Sequence, residues 1–194
     1  QGVSSAASDV YKRQGTYSIT VTDNLGCVSG QTYTVYEPND FTISSNVVDL
    51  TCYDDSTGSI DLTVSGGTTN YNYSWTGPNG FTSTDEDLNA LIAGSYQITG
   101  SDNNGCIIPA TIIDITEPTA MGITLSATPT DCDQPSGSIT IVGNGGSVAT
   151  DYTYELTDLA GTLISSSNLT SSLDVGQYIG FVYDDSNCFA TDTI

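Results

Sequence analysis

The residues with chemistry to offer are five cysteines, at positions 27, 52, 106, 132 and 188, and the acids gathered near them. Thiols make disulfides or hold soft metals, but a zinc site draws on closely spaced Cys pairs and histidine, and this sequence has neither C-x-x-C nor any His. Asp54, Asp55 and Asp102 lie near Cys52 and Cys106, and Asp131, Asp133, Asp184 and Asp185 near Cys132 and Cys188. Grouped carboxylates are calcium ligands. They are also turn formers, through side-chain bonds to their own backbone. Calcium is therefore the one cofactor the sequence leaves open. Asp85-Glu86-Asp87 has the residue types of a glycosidase pair. That chemistry needs a raised pKa in a sheltered cleft, and three consecutive acids before Leu88 read as a solvated loop. Ser56 and Thr193, each following an Asp, fit a short O-glycan acceptor pattern, while Asn72-Tyr-Ser74 and Asn168-Leu-Thr170 fit the N-linked sequon.

Composition closes other routes. Without histidine the usual general base is missing, and the only two basic residues are Lys12 and Arg13. A formal charge of −21 opposes nucleic acid, which is held by clustered Lys and Arg. The apolar runs are too short to cross a membrane, and no secretory signal opens the chain, so any signal or anchor is expected outside it. Residues 1–14 match nothing later and read as an adapter-derived tail, the alternative being a genuine linker or strand.

What must position these groups is a repeat. Gly15-Thr-Tyr-Ser-Ile-Thr-Val-Thr-Asp-Asn-Leu-Gly-Cys27 returns as Gly94-Ser-Tyr-Gln-Ile-Thr-Gly-Ser-Asp-Asn-Asn-Gly-Cys106, and more loosely as Gly176 to Cys188. Glu37-Pro38 recurs as Glu117-Pro118, Cys52 as Cys132, Gly58-Ser-Ile60 as Gly137-Ser-Ile139 and Tyr71-Asn-Tyr73 as Tyr152-Thr-Tyr154, a period of about 80 residues. Within it Ile60, Leu62 and Val64 alternate with Ser59, Asp61 and Thr63, as on a strand with one buried face. Turn residues such as Gly66-Gly67 and Asp102-Asn-Asn-Gly105 separate these runs.

The pattern predicts an all-β protein of tandem immunoglobulin-like Greek-key β-sandwich repeats. Seven strands are expected near 42–52, 58–65, 71–76, 81–84, 86–91, 95–101 and 107–116. Leu91-Ile-Ala-Gly-Ser-Tyr96 and Leu173-Asp-Val-Gly-Gln-Tyr178 fit a tyrosine corner, and Trp75 a core aromatic. The chain then divides into the last two strands of one repeat (15–38), a complete repeat (39–118) and a third repeat (119–194) with a shortened final strand. Raw edges at both ends suggest neighbouring repeats, or identical subunits joined by strand donation, as partners.

Each full repeat owns two cysteines, which explains the odd total. Tracing the strands up and down puts the loop after the first strand beside the loop between the sixth and seventh. On that reading Cys52 pairs with Cys106 and Cys132 with Cys188. Loops of this length give each bond about 4 kcal/mol in the chain-entropy model. The competing pairing, Cys27–Cys52 and Cys106–Cys132, would link repeats. Either pattern points outside the cytosol.

These residues resemble the SprB-type repeats of Bacteroidota gliding-motility adhesins and other large surface proteins. The resemblance rests on Cys52-Tyr-Asp-Asp, Gly58-Ser-Ile60, Gly66-Gly67, Tyr71-Asn-Tyr-Ser-Trp75, Leu91-Ile-Ala-Gly-Ser-Tyr96, Asp102-Asn-Asn-Gly-Cys106 and Glu117-Pro118. The third repeat departs from it, with Leu156 at the Trp position and Ser186-Asn187 in place of Asn-Gly. The resemblance implies export by the type IX system and a role in adhesion or motility, with no catalytic residues.

The leading expectation is an extracellular structural or adhesive array forming a surface stalk, adhesin or filament, and not an enzyme. Glu-Pro junctions would limit hinging. The alternative is a carbohydrate-binding accessory module, taking surface glycans on Tyr53, Phe81 and Tyr183.

Overall fold

The computed structural model describes residues 14–129, 135–147 and 151–194. Alternating apolar and polar residues with Gly, Asn and Asp at the reversals give strands throughout, and every pairing between them is antiparallel. Pro78–Gly80 forms one 3-10 turn.

A hairpin opens the described chain: β1 (Gly15–Thr22) pairs with β2 (Val28–Val35). Seven strands follow: β3 (Thr42–Val48), β4 (Gly58–Ser65), β5 (Asn72–Thr76), β6 (Thr82–Ser83), β7 (Leu88–Leu91), β8 (Gly94–Ser101) and β9 (Ile107–Ile115). They form two sheets, ordered β3-β4-β7 and β6-β5-β8-β9. The next seven are β10 (Thr119–Thr128), β11 (Gly137–Gly146), β12 (Thr153–Asp158), β13 (Leu163–Ser165), β14 (Leu169–Leu173), β15 (Tyr178–Tyr183) and β16 (Phe189–Thr193). Their sheets, β10-β11-β14 and β13-β12-β15-β16, repeat the same order.

The inward alternation predicted for Ile60, Leu62 and Val64 is present, with Asp61 and Thr63 exposed. These residues meet Trp75, Tyr96, Ile98, Ile108, Ile113 and Ile115 from the facing sheet in one core. Trp75 is 1% exposed, and its Nε1 donates to the Asp85 carbonyl at 2.9 Å. The polar edge of the indole is thus satisfied inside an apolar core. A smaller core in the following sandwich gathers Ile139, Ile141, Leu156 and Leu173. Leu156 stands opposite Gly180, where Trp75 stands opposite Ile98. The loss of the indole is thus accompanied by a change in its cross-strand neighbour.

Both tyrosine corners close. Tyr96 Oη donates to the Ile92 carbonyl at 3.0 Å and Tyr178 Oη to the Asp174 carbonyl at 2.9 Å.

The first strand is shorter than expected, ending at Val48 rather than 52. Beyond it the chain crosses to the other sheet. Leu50 N donates to the Thr116 carbonyl at 3.0 Å, and Thr116 N donates to Asp49 Oδ1 at 2.7 Å. Leu50 is buried by this crossing, so its apolar side chain favours it.

The predicted disulfide Cys52–Cys106 is not formed. Cys52 is bonded to Cys188 of the following sandwich, with Cα atoms 5.6 Å apart, and Cys106 is an exposed free thiol, as is Cys27. This also replaces the expected Cys132–Cys188 pair; Cys132 itself lies outside the described residues. The reason is the parity of the tracing. Five strands separate the loop after β3 from the loop between β8 and β9, and an odd number of strand lengths ends at the opposite pole. β9 alone spans nine residues, about 30 Å.

Candidate functional site

Two constructions involve the residues singled out above: an aspartate turn that recurs through the chain, and the junction at the disulfide.

The aspartate turn is built the same way four times. Asp102 Oδ1 accepts the amides of Asn104 at 2.9 Å and Cys106 at 2.8 Å, while its own N–H donates to the Cys106 carbonyl. Gly105, at φ +81°, closes the turn by donating to the Asp102 carbonyl. Asp23 does the same with Leu25 and Cys27, Asp184 with Ser186 and Cys188, and Asp158 with Ala160 and Thr162. The motif Asp-x-x-Gly is therefore a hairpin device: carboxylate to cap, glycine for positive φ. Asn187, at φ +63°, takes the glycine's place in one of them. The Asp158-Leu-Ala-Gly161 copy carries the same motif, a signal that sequence reasoning missed.

Asp102 and Asp184 have a second task. Asp102 Oδ2 accepts the Thr68 amide at 2.9 Å, and Asp184 Oδ2 accepts the Ser147 amide at 2.8 Å. Each carboxylate therefore ties the turn of one sheet to the glycine pair leaving the other. Both residues are nearly fully buried as a result. Tyr71 and Tyr152 complete the tie, donating to the carbonyls of Gly66 and Gly145 at 2.7 and 2.9 Å. Backbone N–H groups hold the Asp102 carboxyl below its ordinary range, Thr68 most strongly. Asp158 is lowered chiefly by Thr162, and Asp23 chiefly by Cys27.

For the expected grouping of Asp54 and Asp55 with Asp102, this geometry is a correction. Asp54 and Asp55 lie at the Glu117 end of the central sandwich and Asp102 at the other, so they do not meet. Asp54 and Asp55 instead sit at the pole that the disulfide joins to the Asp184–Cys188 loop. Among the described residues no three of His, Cys, Asp or Glu are grouped to hold a metal ion. Asp131 and Asp133 lie outside those residues.

At the junction, Glu117 Oε2 accepts the Asp54 amide at 2.7 Å. Asp54 adopts φ +57° there. This gives the Glu of the Glu-Pro motif a task that sequence reasoning missed: it caps the turn that delivers Cys52 to the next sandwich. An open crevice beside the disulfide is lined by Tyr53, Met121 and Phe189, among others.

The aromatic candidates diverge. Tyr53 is 53% exposed in that crevice. Phe81 packs edge-on against Tyr96 at 5.4 Å and belongs to the periphery of the core. Tyr183 is half-buried on the outward face of β15, its ring parallel to Phe181 within 12° and close to the exposed Phe189. Its Oη donates to Glu155 Oε2 at 3.1 Å. Burial, and then Glu155, raise the Tyr183 pKa. Phe181 and Phe189 are further members of this patch that sequence reasoning missed.

Asp85, Glu86 and Asp87 are exposed and each has a structural partner. Ser83 Oγ donates to Asp85, Tyr73 Oη to Glu86 at 2.8 Å and Leu62 N to Asp87 at 2.9 Å. Burial and the Glu86 carboxylate push the Tyr73 hydroxyl far above its usual range. The three acids fasten the loop that covers Trp75. Ser56 and Thr193 are exposed.

Residues 44–80, from within β3 to the turn after β5, match the family model of the SprB repeat, a module of cell-surface proteins. No curated protein matches the chain. No helix among the described residues is long and apolar enough to cross a membrane.

Proposed function

We propose that this chain is a load-bearing stretch of an extracellular surface array, an adhesin stalk or filament in which sandwiches are locked end to end, and that it carries no catalysis. The observation that carries this reading is the Cys52–Cys188 bond, which joins one sandwich to the next rather than closing a loop within one. The Glu117 cap on the turn beside it adds a second tie at the same pole. A covalent tie beside a short Glu-Pro connection resists bending between units, which suits a stalk. The sides, rich in Asp, Ser and Thr at a net charge of −21, would repel one another. Disulfide use fits an oxidising location. Export, O-linked sugar on Ser56 or Thr193 and a role in motility belong to the same proposal, through the SprB-type match. Electron microscopy before and after reduction tests it. Straight particles with a regular domain-sized spacing that become kinked on reduction are expected; compact or already kinked particles overturn it.

A second reading is favoured by Phe181, Tyr183 and Phe189: a saccharide platform on the outward face of the last sandwich. Aromatic rings cover the apolar faces of sugars, and Glu155 would accept hydroxyls. Titrating neutral oligosaccharides against tyrosine fluorescence, with Tyr183→Ala as control, decides it: saturable quenching absent from the variant supports a site, and no response removes it.

A further inference from the structure

We infer that the rule joining Cys52 to Cys188 holds between all successive sandwiches of such an array, so that Cys106 is the receiving half of a disulfide from the sandwich N-terminal to it. This goes beyond the stalk reading, since it fixes which cysteines pair whatever the array adheres to.

Three observations converge. First, Cys106 and Cys188 occupy the same place: each follows a buried aspartate, Asp102 or Asp184, whose Oδ1 accepts the cysteine's amide at 2.8 or 2.9 Å. The one in Cys188 is bonded and buried, while the one in Cys106 is free and exposed. Second, Cys52 is delivered to the pole of its sandwich by ties to Thr116 and Glu117, at the end of the seventh strand. Glu37-Pro38 is the equivalent junction before the sandwich that carries Cys106. A cysteine following the first strand of the preceding unit would be delivered there by the same ties.

Third, among the described residues the hairpin β1–β2 has no such first strand beside it. Register equates Ile19 with Ile98, Tyr33 with Ile113 and Val35 with Ile115. The central sandwich buries all three to 8% exposure or less, whereas Ile19 and Tyr33 are each 56% exposed and Val35 41%. In the central sandwich this face is covered by the sheet β3-β4-β7, whose first strand leads into Cys52. One occupant therefore meets both needs: a unit equivalent to β3–β7 covers the apolar face and brings a thiol to Cys106. That unit is continuous with the hairpin rather than borrowed from a second copy. In a second copy the residues that would cover the face, Ile60, Leu62 and Leu91, are already buried against its own β8 and β9.

The bond forms by thiol–disulfide exchange with an oxidoreductase disulfide. The two cysteines lose two protons and two electrons to become one S–S bond, and the oxidoreductase takes both up as a dithiol.

The test extends the chain with a second copy of residues 39–93 placed ahead of Gly15, expressed in an oxidising compartment. Free thiols are alkylated and the protein is cut at Asp and Glu without reduction for mass spectrometry. The inference expects the added copy of Cys52 linked to Cys106, Cys106 no longer alkylated and Cys27 still alkylated. A link from the added copy to Cys27, or an alkylated Cys106 in a chain that retains Cys52–Cys188, overturns it. A second chain, residues 39–118 followed by residues 39–194, keeps only native seams. There the first unit's Cys52 should link to the second unit's Cys106, and bonds closed within a unit would equally overturn the rule.

Discussion

The Asp102 carboxylate accepts the Thr68 amide at 2.9 Å across 34 residues of chain, and Asp184 stands in the same relation to Ser147. In both sandwiches one buried acid shapes a hairpin and fastens it to the opposite sheet. Asp102→Ala should therefore lower the melting temperature of the central sandwich. Asp23→Ala, which removes the same hairpin cap in β1–β2, should leave that transition in place. Asp102→Asn should fall between wild type and Asp102→Ala, because an amide Oδ1 still caps the turn but its NH2 cannot accept from Thr68. Calorimetry of the three variants checks the order.

The same carboxylate sets a pH dependence. Its pKa is lowered on folding, so its contribution is complete above the ordinary carboxylate range and is lost as pH falls through the lowered value. Asp158 and Asp23, lowered likewise, add to the effect. Urea midpoints should stay level near neutral pH and drop only in acid, and Asp102→Asn should flatten part of that drop.

Gly67 is held at φ +56°, and a Cβ there would lie 2.6 Å from the Phe41 ring and 2.9 Å from Asp102 Oδ2. Gly67→Ala thus combines an unfavourable backbone region with a clash against the tie itself. The expected cost is about 2–4 kcal/mol by chemical denaturation.

Trp75 is the only tryptophan and is almost wholly buried, so its fluorescence reports on the central sandwich alone. Emission should be blue-shifted in the native state and move red in one transition. Trp75→Ala should cost about 3–5 kcal/mol, read by circular dichroism. In the following sandwich, Thr157 Oγ1 is buried without a hydrogen-bond partner. Thr157→Val removes that orphan at nearly equal volume and should stabilise by about 1 kcal/mol.

Much of this was legible in the sequence because it is local. Strand alternation around Ile60, the buried Trp75 and the tyrosine corners at Tyr96 and Tyr178 each depend on residues a few positions apart. The Asp-Gly turns were legible too, though their second bond to Thr68 or Ser147 was not, since it spans two sheets. Cysteine pairing failed for a global reason. It depends on which pole each loop reaches, and a miscounted parity sends Cys52 to the wrong partner. Glu117 was read as part of a stiff connector, but its cap on Asp54 depends on the chain leaving β3 early, which alternation alone does not signal.

Whether neighbouring sandwiches are bonded to each other is decided by a non-reducing peptide map of the 194-residue chain, cut at Asp and Glu. A peptide carrying Cys52 should be found linked to one carrying Cys188, with Cys27 and Cys106 both alkylated without reductant. A Cys52–Cys106 linkage would contradict it, leaving two self-contained domains joined only by the Glu-Pro connection.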